Sequence, residues 1–186
     1  MHENSKNIEE EPLIEEYNHR IVNLLDEYLL DHSTILELGS GNGADLAKLS
    51  KNYQVIGSDI SKENIQKINE KYSELEMRLI DVREMDIDGK FDCIYSNKVF
   101  SHLTKEELAD ALELKAEHLN DEGMILMTLN YGDYREEYDE GLLNSYYTEF
   151  DISQLVPESL RIDLIDSYTE EEKEDSLLVI LRNRNL

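Results

Sequence analysis

Apolar positions along this chain form two kinds of pattern. Short apolar runs stand at Thr34–Leu38, Tyr53–Ser58, Leu75–Ile80, Phe91–Ser96 and Met124–Leu129; brief runs bounded by turn residues predict strands buried in a parallel sheet. Longer segments separate them. Leu13, Ile14, Tyr17, Ile21, Leu24, Leu25 and Tyr28 recur at helical spacing after Pro12, a residue suited to a first helical turn, and predict a helix over 12–30. Ser61 is placed to cap a helix reaching Tyr72, and Thr104 with Glu107 makes a capping box for a helix running to His118. Asp151 is read as the cap of a short helix ending before Pro157, and residues 1–11 as a polar, disordered start. Leu160–Tyr168 and Leu177–Leu181 are the last two strands, joined by the acidic turn Thr169–Ser176.

The connections decide the topology. The first five strands are separated by helices or long loops, the spacing of βαβ units. The final turn is too short for a parallel crossover, so the last two strands pair antiparallel. The expected fold is α/β, a Rossmann-like three-layer sandwich: a seven-stranded, mostly parallel sheet with helices on both faces and a C-terminal antiparallel hairpin. Neither an internal repeat nor a domain boundary breaks the 186 residues, which read as a single domain.

The first strand runs into Gly39, Gly41 and Gly43, and Ala44–Leu49 opens a helix. Strand, glycine turn and helix start make a ligand cradle: glycines accept positive φ and leave room where a Cβ would stand, and a helix N-terminus offers N–H groups to an anion. Glu37 is costly at a buried strand end unless it faces a ligand or caps loop N–H groups. In open α/β sheets ligands bind beyond the carboxyl ends of the strands. There the second strand ends in Asp59-Ile60, the third in Asp81-Val82 and the fourth in Tyr95-Ser96-Asn97-Lys98. Asp59, about twenty residues past Gly39, suits ribose hydroxyls, and Asp81 beside Val82 suits an exocyclic amine and the face of a base. Each carboxylate alone could equally cap a loop; three in register around one glycine turn point to a nucleoside-type ligand.

Charge narrows the partners. With 18 Lys+Arg against 43 Asp+Glu the net charge is −25, which opposes nucleic acid and anionic membrane surfaces. The single cysteine, Cys93, excludes an intramolecular disulfide, fits a reducing compartment and falls in a strand, so it reads as an inert core thiol. Met1–Glu16 lacks the apolar stretch of a signal peptide and no run reaches membrane-spanning length. The reading is a soluble cytoplasmic protein with no metal site.

Glu37-Leu38-Gly39-Ser40-Gly41-Asn42-Gly43 resembles motif I of the class I S-adenosylmethionine-dependent methyltransferases. The resemblance continues through Asp59-Ile60, Asp81-Val82, Phe91–Leu103 and the helix–turn–strand ending at Leu129, roughly residues 33–130. It implies S-adenosylmethionine as cofactor and S-adenosylhomocysteine as product. It places the methionine part and sulfonium at Gly39, Ser40, Gly41, Asn42 and Gly43, with Glu37 orienting the loop or the amino group. It assigns the ribose to Asp59, the adenine to Ile60, Asp81 and the Val82 N–H, and main-chain contacts near the methionine to Asn97. No Asn-Pro-Pro-Tyr-type motif follows the fourth strand, and no subfamily is assigned.

A sulfonium methyl is already activated, so such an enzyme needs positioning, water exclusion and, for some acceptors, a base. His102, just after the fourth strand, is the catalytic candidate; His118 reads as a helix C-cap, and Tyr17, Tyr131, Tyr146 and Tyr147 are alternatives. Residues 130–150 show no clear period. Their tyrosines, interleaved with Asp133, Glu136, Glu137, Asp139 and Glu140 and flanked by Gly132 and Gly141, make either a lid over a cationic or amine-bearing acceptor, small molecule or protein, or an ordinary acidic loop. Two other functions stay open. A non-catalytic cofactor-binding scaffold would keep the same motifs. A dinucleotide oxidoreductase would use Gly39, Gly41 and Ala44 as G-x-G-x-x-A with Asp59 on the ribose; against it stand Glu37, Gly43, Asp81 and the lack of chain for a substrate domain.

Overall fold

The computed structural model describes residues 21–170 and 175–184. The disordered start expected over 1–11, the first part of the predicted N-terminal helix, Tyr17 and part of the last acidic turn lie outside the described residues. A helix, α1, covers residues 21–28. Then follow β1 (Thr34–Leu38), α2 (Ala44–Leu49), β2 (Gln54–Asp59), α3 (Lys62–Lys71), β3 (Glu76–Leu79), β4 (Phe91–Asn97), a 3₁₀ turn (Val99–His102), α4 (Lys105–Glu117) and β5 (Leu119–Tyr131). The chain continues with β6 (Arg135–Asp139), β7 (Leu142–Tyr147), α5 (Glu149–Leu155), β8 (Leu160–Tyr168) and β9 (Ser176–Asn183).

The strands form one nine-stranded sheet. β3, β2, β1, β4 and β5 are parallel neighbours in that order. β9 lies antiparallel to β5 and β8 antiparallel to β9, as the short final connection requires. The two strands beyond the expected seven come from the segment without a clear period. β6 and β7 pair antiparallel from Arg135↔Tyr146 to Asp139↔Leu142, around Glu140 and Gly141, both at positive φ (47° and 87°), as a two-residue type I′ turn needs. Asn130 pairs with Ser176 of β9 and with Tyr146 of β7. A strand residue has two sides, so β7 continues along the side of β5 that β4 leaves at Asn97. The hairpin therefore stands at the carboxyl ends of the central strands.

Alternate residues feed two cores. Leu36, Leu38, Ile94, Ile125, Met127, Leu129 and Val179 pack with Phe100, Leu108, Leu112 and Ile152 on one face. Ile35, Cys93, Tyr95, Met124, Leu126 and Ile180 pack with Ile21, Val22, Leu25 and Leu49 on the other. Burial on both faces explains the nearly unbroken apolar runs. The caps on α3 and α4 are those expected: Ser61 accepts from the Asn64 N–H, and Thr104 and Glu107 form the capping box. At α5 the sequence reading is corrected. Thr148 is the N-cap and Asp151 its N3 partner, reaching back to the Thr148 N–H at 3.0 Å. Among the described residues no helix is long and apolar enough to cross a membrane.

Candidate active site

A cleft of about 440 Å³ opens beyond the carboxyl ends of β1, β2 and β4, within the range of small-molecule sites. It brings together Gly39, Asp59, Ile60, Asp81, Val82 and His102. Glu37, Ser40, Gly41, Asn42, Gly43 and Asn97 do not line it. Gly39 turns β1 into the loop at φ +73°, and a Cβ there would lie 2.2 Å from Val99 Cγ2, so only glycine fits.

Four loop amides are already committed. Ser40 N–H donates to the Ser58 carbonyl (2.7 Å), Gly41 N–H to Asp59 Oδ2 (3.0 Å), Gly43 N–H to the Ser40 carbonyl (2.7 Å) and Ala44 N–H to Asn42 Oδ1 (3.0 Å). The expectation of an N–H cradle for an anion is thus not met by these four groups. Carboxylates ring the turn instead. Glu37, 3% exposed, accepts from Ser40 Oγ at 2.5 Å, and burial raises its pKa to about 8, with Asp45 and Asp59 adding repulsion. Ser40 Oγ also accepts from the Ser58 N–H. Asp59 accepts from Gly41 N–H, Ser61 N–H (2.8 Å) and Asn64 Nδ2 (3.3 Å). Asn97 is absent from the cleft wall. Its Nδ2 donates to Asp45 Oδ2 at 3.3 Å, beside the Tyr95 hydroxyl at 2.7 Å, and its Oδ1 accepts from Thr128 Oγ1 at 2.7 Å.

Sequence reasoning missed Arg83. Its backbone N–H and Nε donate to Asp81 Oδ1 (both 2.9 Å), and Nη2 donates to Oδ2 at 2.6 Å. The guanidinium holds the Asp81 carboxyl below its ordinary pKa and also faces Glu107 at 3.6 Å. The available signal was a cation two residues past a strand-end carboxylate.

His102 lines the cleft with Nδ1 2.8 Å from the Leu143 carbonyl. Assigning the Nδ1 proton to that bond leaves Nε2 as the basic nitrogen. His118 caps α4, with Nδ1 3.0 Å from the Leu114 carbonyl. None of Tyr131, Tyr146 and Tyr147 lines the cleft. Arg135 lies 3.4 Å over the Tyr146 ring and the Lys105 ammonium 4.6 Å over Tyr134, so those faces carry cations of this chain. The hairpin reaches the cleft through Leu142. Among the described residues no group of three or more His, Cys, Asp or Glu is placed to hold a metal ion.

Residues 35–123 match the family model described as a methyltransferase domain. An uncharacterised protein of Rickettsia prowazekii (strain Madrid E), RP028, is 29% identical over 110 residues, covering 54% of this chain and 44% of that protein. The chain therefore aligns to under half of that relative's length. Among solved structures, a S-adenosylmethionine-dependent methyltransferase from Clostridium acetobutylicum ATCC 824 superimposes with a TM-score of 0.76 at 14% identity, over 91% of this chain and 92% of that one. The 1,6-didemethyltoxoflavin-N1-methyltransferase of Burkholderia thailandensis, solved with 1,6-didemethyltoxoflavin and S-adenosylhomocysteine, does so with a TM-score of 0.78 at 16% identity, over 90% and 78%.

Proposed function

We propose that this chain, whose residues 35–123 match a methyltransferase domain and whose fold is that of solved S-adenosylmethionine-dependent methyltransferases, is itself a class I S-adenosylmethionine-dependent methyltransferase and transfers a methyl group from S-adenosylmethionine to an amine-bearing small-molecule or protein acceptor. The observation that carries the cofactor reading is the glycine turn. Its Ser40, Gly41, Gly43 and Ala44 amides are committed, and Glu37, Asp45 and Asp59 surround it. A pyrophosphate there would meet carboxylates and few free donors; a ligand with an ammonium and a sulfonium would meet the Asp45 and Asp59 side chains and a Glu37 carboxyl whose ionised form it favours. This favours S-adenosylmethionine over a dinucleotide.

In this reading Asp59 takes the ribose hydroxyls, exchanging part of its present bonding for them. Ile60, 62% exposed at the cleft, covers the adenine. Asp81 and the Val82 N–H read the adenine edge, and Asn97 sides with the methionine end through its main chain. When bound, the sulfonium supplies an activated methyl: the acceptor's lone pair forms the new bond to carbon as the carbon–sulfur pair stays on sulfur. The protein's part is to align the two, keep water out with Val99, Leu103 and Leu142, and accept an acceptor proton at His102 Nε2. The β6–β7 hairpin is the acceptor-side wall, and the net charge of −25 favours a cationic or amine-bearing acceptor.

The test has two stages. S-adenosylmethionine and S-adenosylhomocysteine should each raise the melting temperature, by roughly 5–10 °C at about a hundred times Kd, while NAD should not. Labelled methyl from the cofactor should then appear on a member of an amine panel, and His102→Ala should lower that rate by about 10²-fold while leaving Kd within about threefold. A shift with NAD alone would overturn the cofactor; binding without transfer to any acceptor would leave the scaffold reading standing in place of this one.

A further inference from the structure

Lys115 sits on α4 with no exposed surface. Its ammonium donates to the Val82 carbonyl and to the Glu84 carbonyl at 3.1 Å, main-chain acceptors in the turn that follows β3. A wholly buried lysine is rare and needs a structural return for its desolvation. The return lies in the peptide it grips. The Val82 carbonyl and the Arg83 N–H belong to one planar trans unit and point in opposite directions. The Arg83 N–H donates to Asp81 Oδ1 at 2.9 Å, and the Glu84 N–H closes the turn on the Asp81 carbonyl at 2.9 Å. A single line of donors and acceptors thus runs from the Lys115 ammonium through one peptide to the carboxylate on the cleft wall.

We propose that Lys115 is a positioning residue for the adenine end of the cofactor, holding the 81–84 turn and, through the Val82–Arg83 peptide, the Asp81 carboxylate in its binding orientation. A charged donor at one end polarises the peptide and strengthens the bond at the other. An apolar side chain at 115 would take the ammonium donor away from both carbonyls. The inference rests on the adenine lying against Asp81 and Val82.

The arrangement also has a pH signature. Burial lowers Lys115 to about 8, and the nearby Asp81 carboxylate works against that fall. The charged groups of the turn are Asp81, Arg83 and Glu84, and Glu107 on α4 pairs with Arg83. Once neutral, the amine is a weaker donor to both carbonyls, so adenine binding should fall as pH rises through the Lys115 pKa. By linkage, ligand binding should raise that pKa.

The probe is 5′-methylthioadenosine, which keeps adenine and ribose and has no ammonium or sulfonium. Calorimetric titration of the full chain from about pH 6 to about pH 10 should show wild-type affinity falling about fivefold across the upper half of that range. Lys115→Met should bind about tenfold more weakly at neutral pH and lack that component. Glu37 and His102 are present in both proteins, so the difference between the profiles belongs to Lys115. Should Lys115→Met not fold, the Lys115 ¹³Cε titration of the wild type decides, with an upward shift of about half a unit or more expected on saturation. Equal affinity of the variant at neutral pH, weaker binding with an unchanged pH profile, or a Lys115 titration unmoved by ligand would each overturn the proposal. A wild type that binds S-adenosylhomocysteine but not 5′-methylthioadenosine would overturn the adenine assignment, and this inference with it.

Discussion

Replacing Glu37 by glutamine should stabilise the protein, an unusual result for a residue at the heart of its candidate site. Glu37 is 3% exposed, its carboxyl accepts from Ser40 Oγ at 2.5 Å, and burial lifts its pKa from 4.5 to about 8. Between those values the folded protein keeps a proton that the unfolded chain has released. Stability from this group is therefore complete below about pH 4.5 and declines as pH rises toward 8, at about 1.4 kcal/mol per pH unit. At pH 7 the accumulated cost is about 3 kcal/mol, which Glu37→Gln should recover while keeping a hydrogen bond to Ser40. In a domain of this size that is roughly 6–12 °C of melting temperature. Lowering the pH from 7 to 5 should raise the wild-type melting temperature by a comparable amount relative to the variant. Asp81, Asp92 and Asp151 are held below their ordinary value of 3.8. Their contributions are full above that value and lost only as pH falls through the lowered ones, outside this window. Thermal melts of both proteins from about pH 5 to about pH 8 make the measurement. Parallel melting curves with the variant no more stable at neutral pH would refute the reasoning.

Asp59→Asn should weaken S-adenosylhomocysteine binding by about 1.5–3 kcal/mol, read by calorimetry, and should also lower stability by about 1–2 kcal/mol, because Gly41, Ser61 and Asn64 all donate to this carboxylate; unchanged affinity would reduce Asp59 to a loop cap. Cys93 is fully buried with its thiol pushed up to about 12 by burial, so it should resist alkylation in the native protein and react once the chain is unfolded, as mass spectrometry would show. Rapid native alkylation would mean that the sheet opens at β4.

What the sequence made legible follows from how each element is buried. The central strands are covered on both faces, so their apolar runs stand out, and the glycine turn and strand-end carboxylates fall in register after them. The β6–β7 hairpin carries no such mark. Every residue of β6 is exposed, leaving no alternation to read, and its turn uses Glu140-Gly141 where Asn-Gly or Asp-Gly would have announced it. Only β7 alternates, burying Leu143, Ser145 and Tyr147, too short a signal without its partner. Lys115 was legible in principle: it falls on the buried stripe Leu108, Ala111, Leu112, Ala116, Leu119, where a lysine breaks the apolar pattern. What could not be read was its acceptor, since two main-chain carbonyls more than thirty residues away leave no trace in side-chain chemistry.

The distribution of charge around the cleft ties these observations together. Carboxylates outnumber cations 43 to 18 in the chain, yet a cation stands on each side of Asp81: Arg83 in its own turn, and Lys115 behind the peptide that supports it. Around the glycine turn the pattern reverses, with Asp45 and Asp59 close enough to raise the cost of ionising Glu37. A ligand neutral at one end and cationic at the other matches that division. The adenine needs an acceptor held in place, which a carboxylate compensated by Arg83 provides. The ammonium and sulfonium need negative charge, which the carboxyl groups around the turn provide, Glu37 adding to it on ionising. Because Glu37 is protonated before the cation arrives and is better ionised after it, binding at the turn should be coupled to proton release, whereas binding at the adenine end should favour the charged form of Lys115. The two ends of one cleft thus respond to pH in opposite senses, each set by which protonation state its half of the ligand prefers.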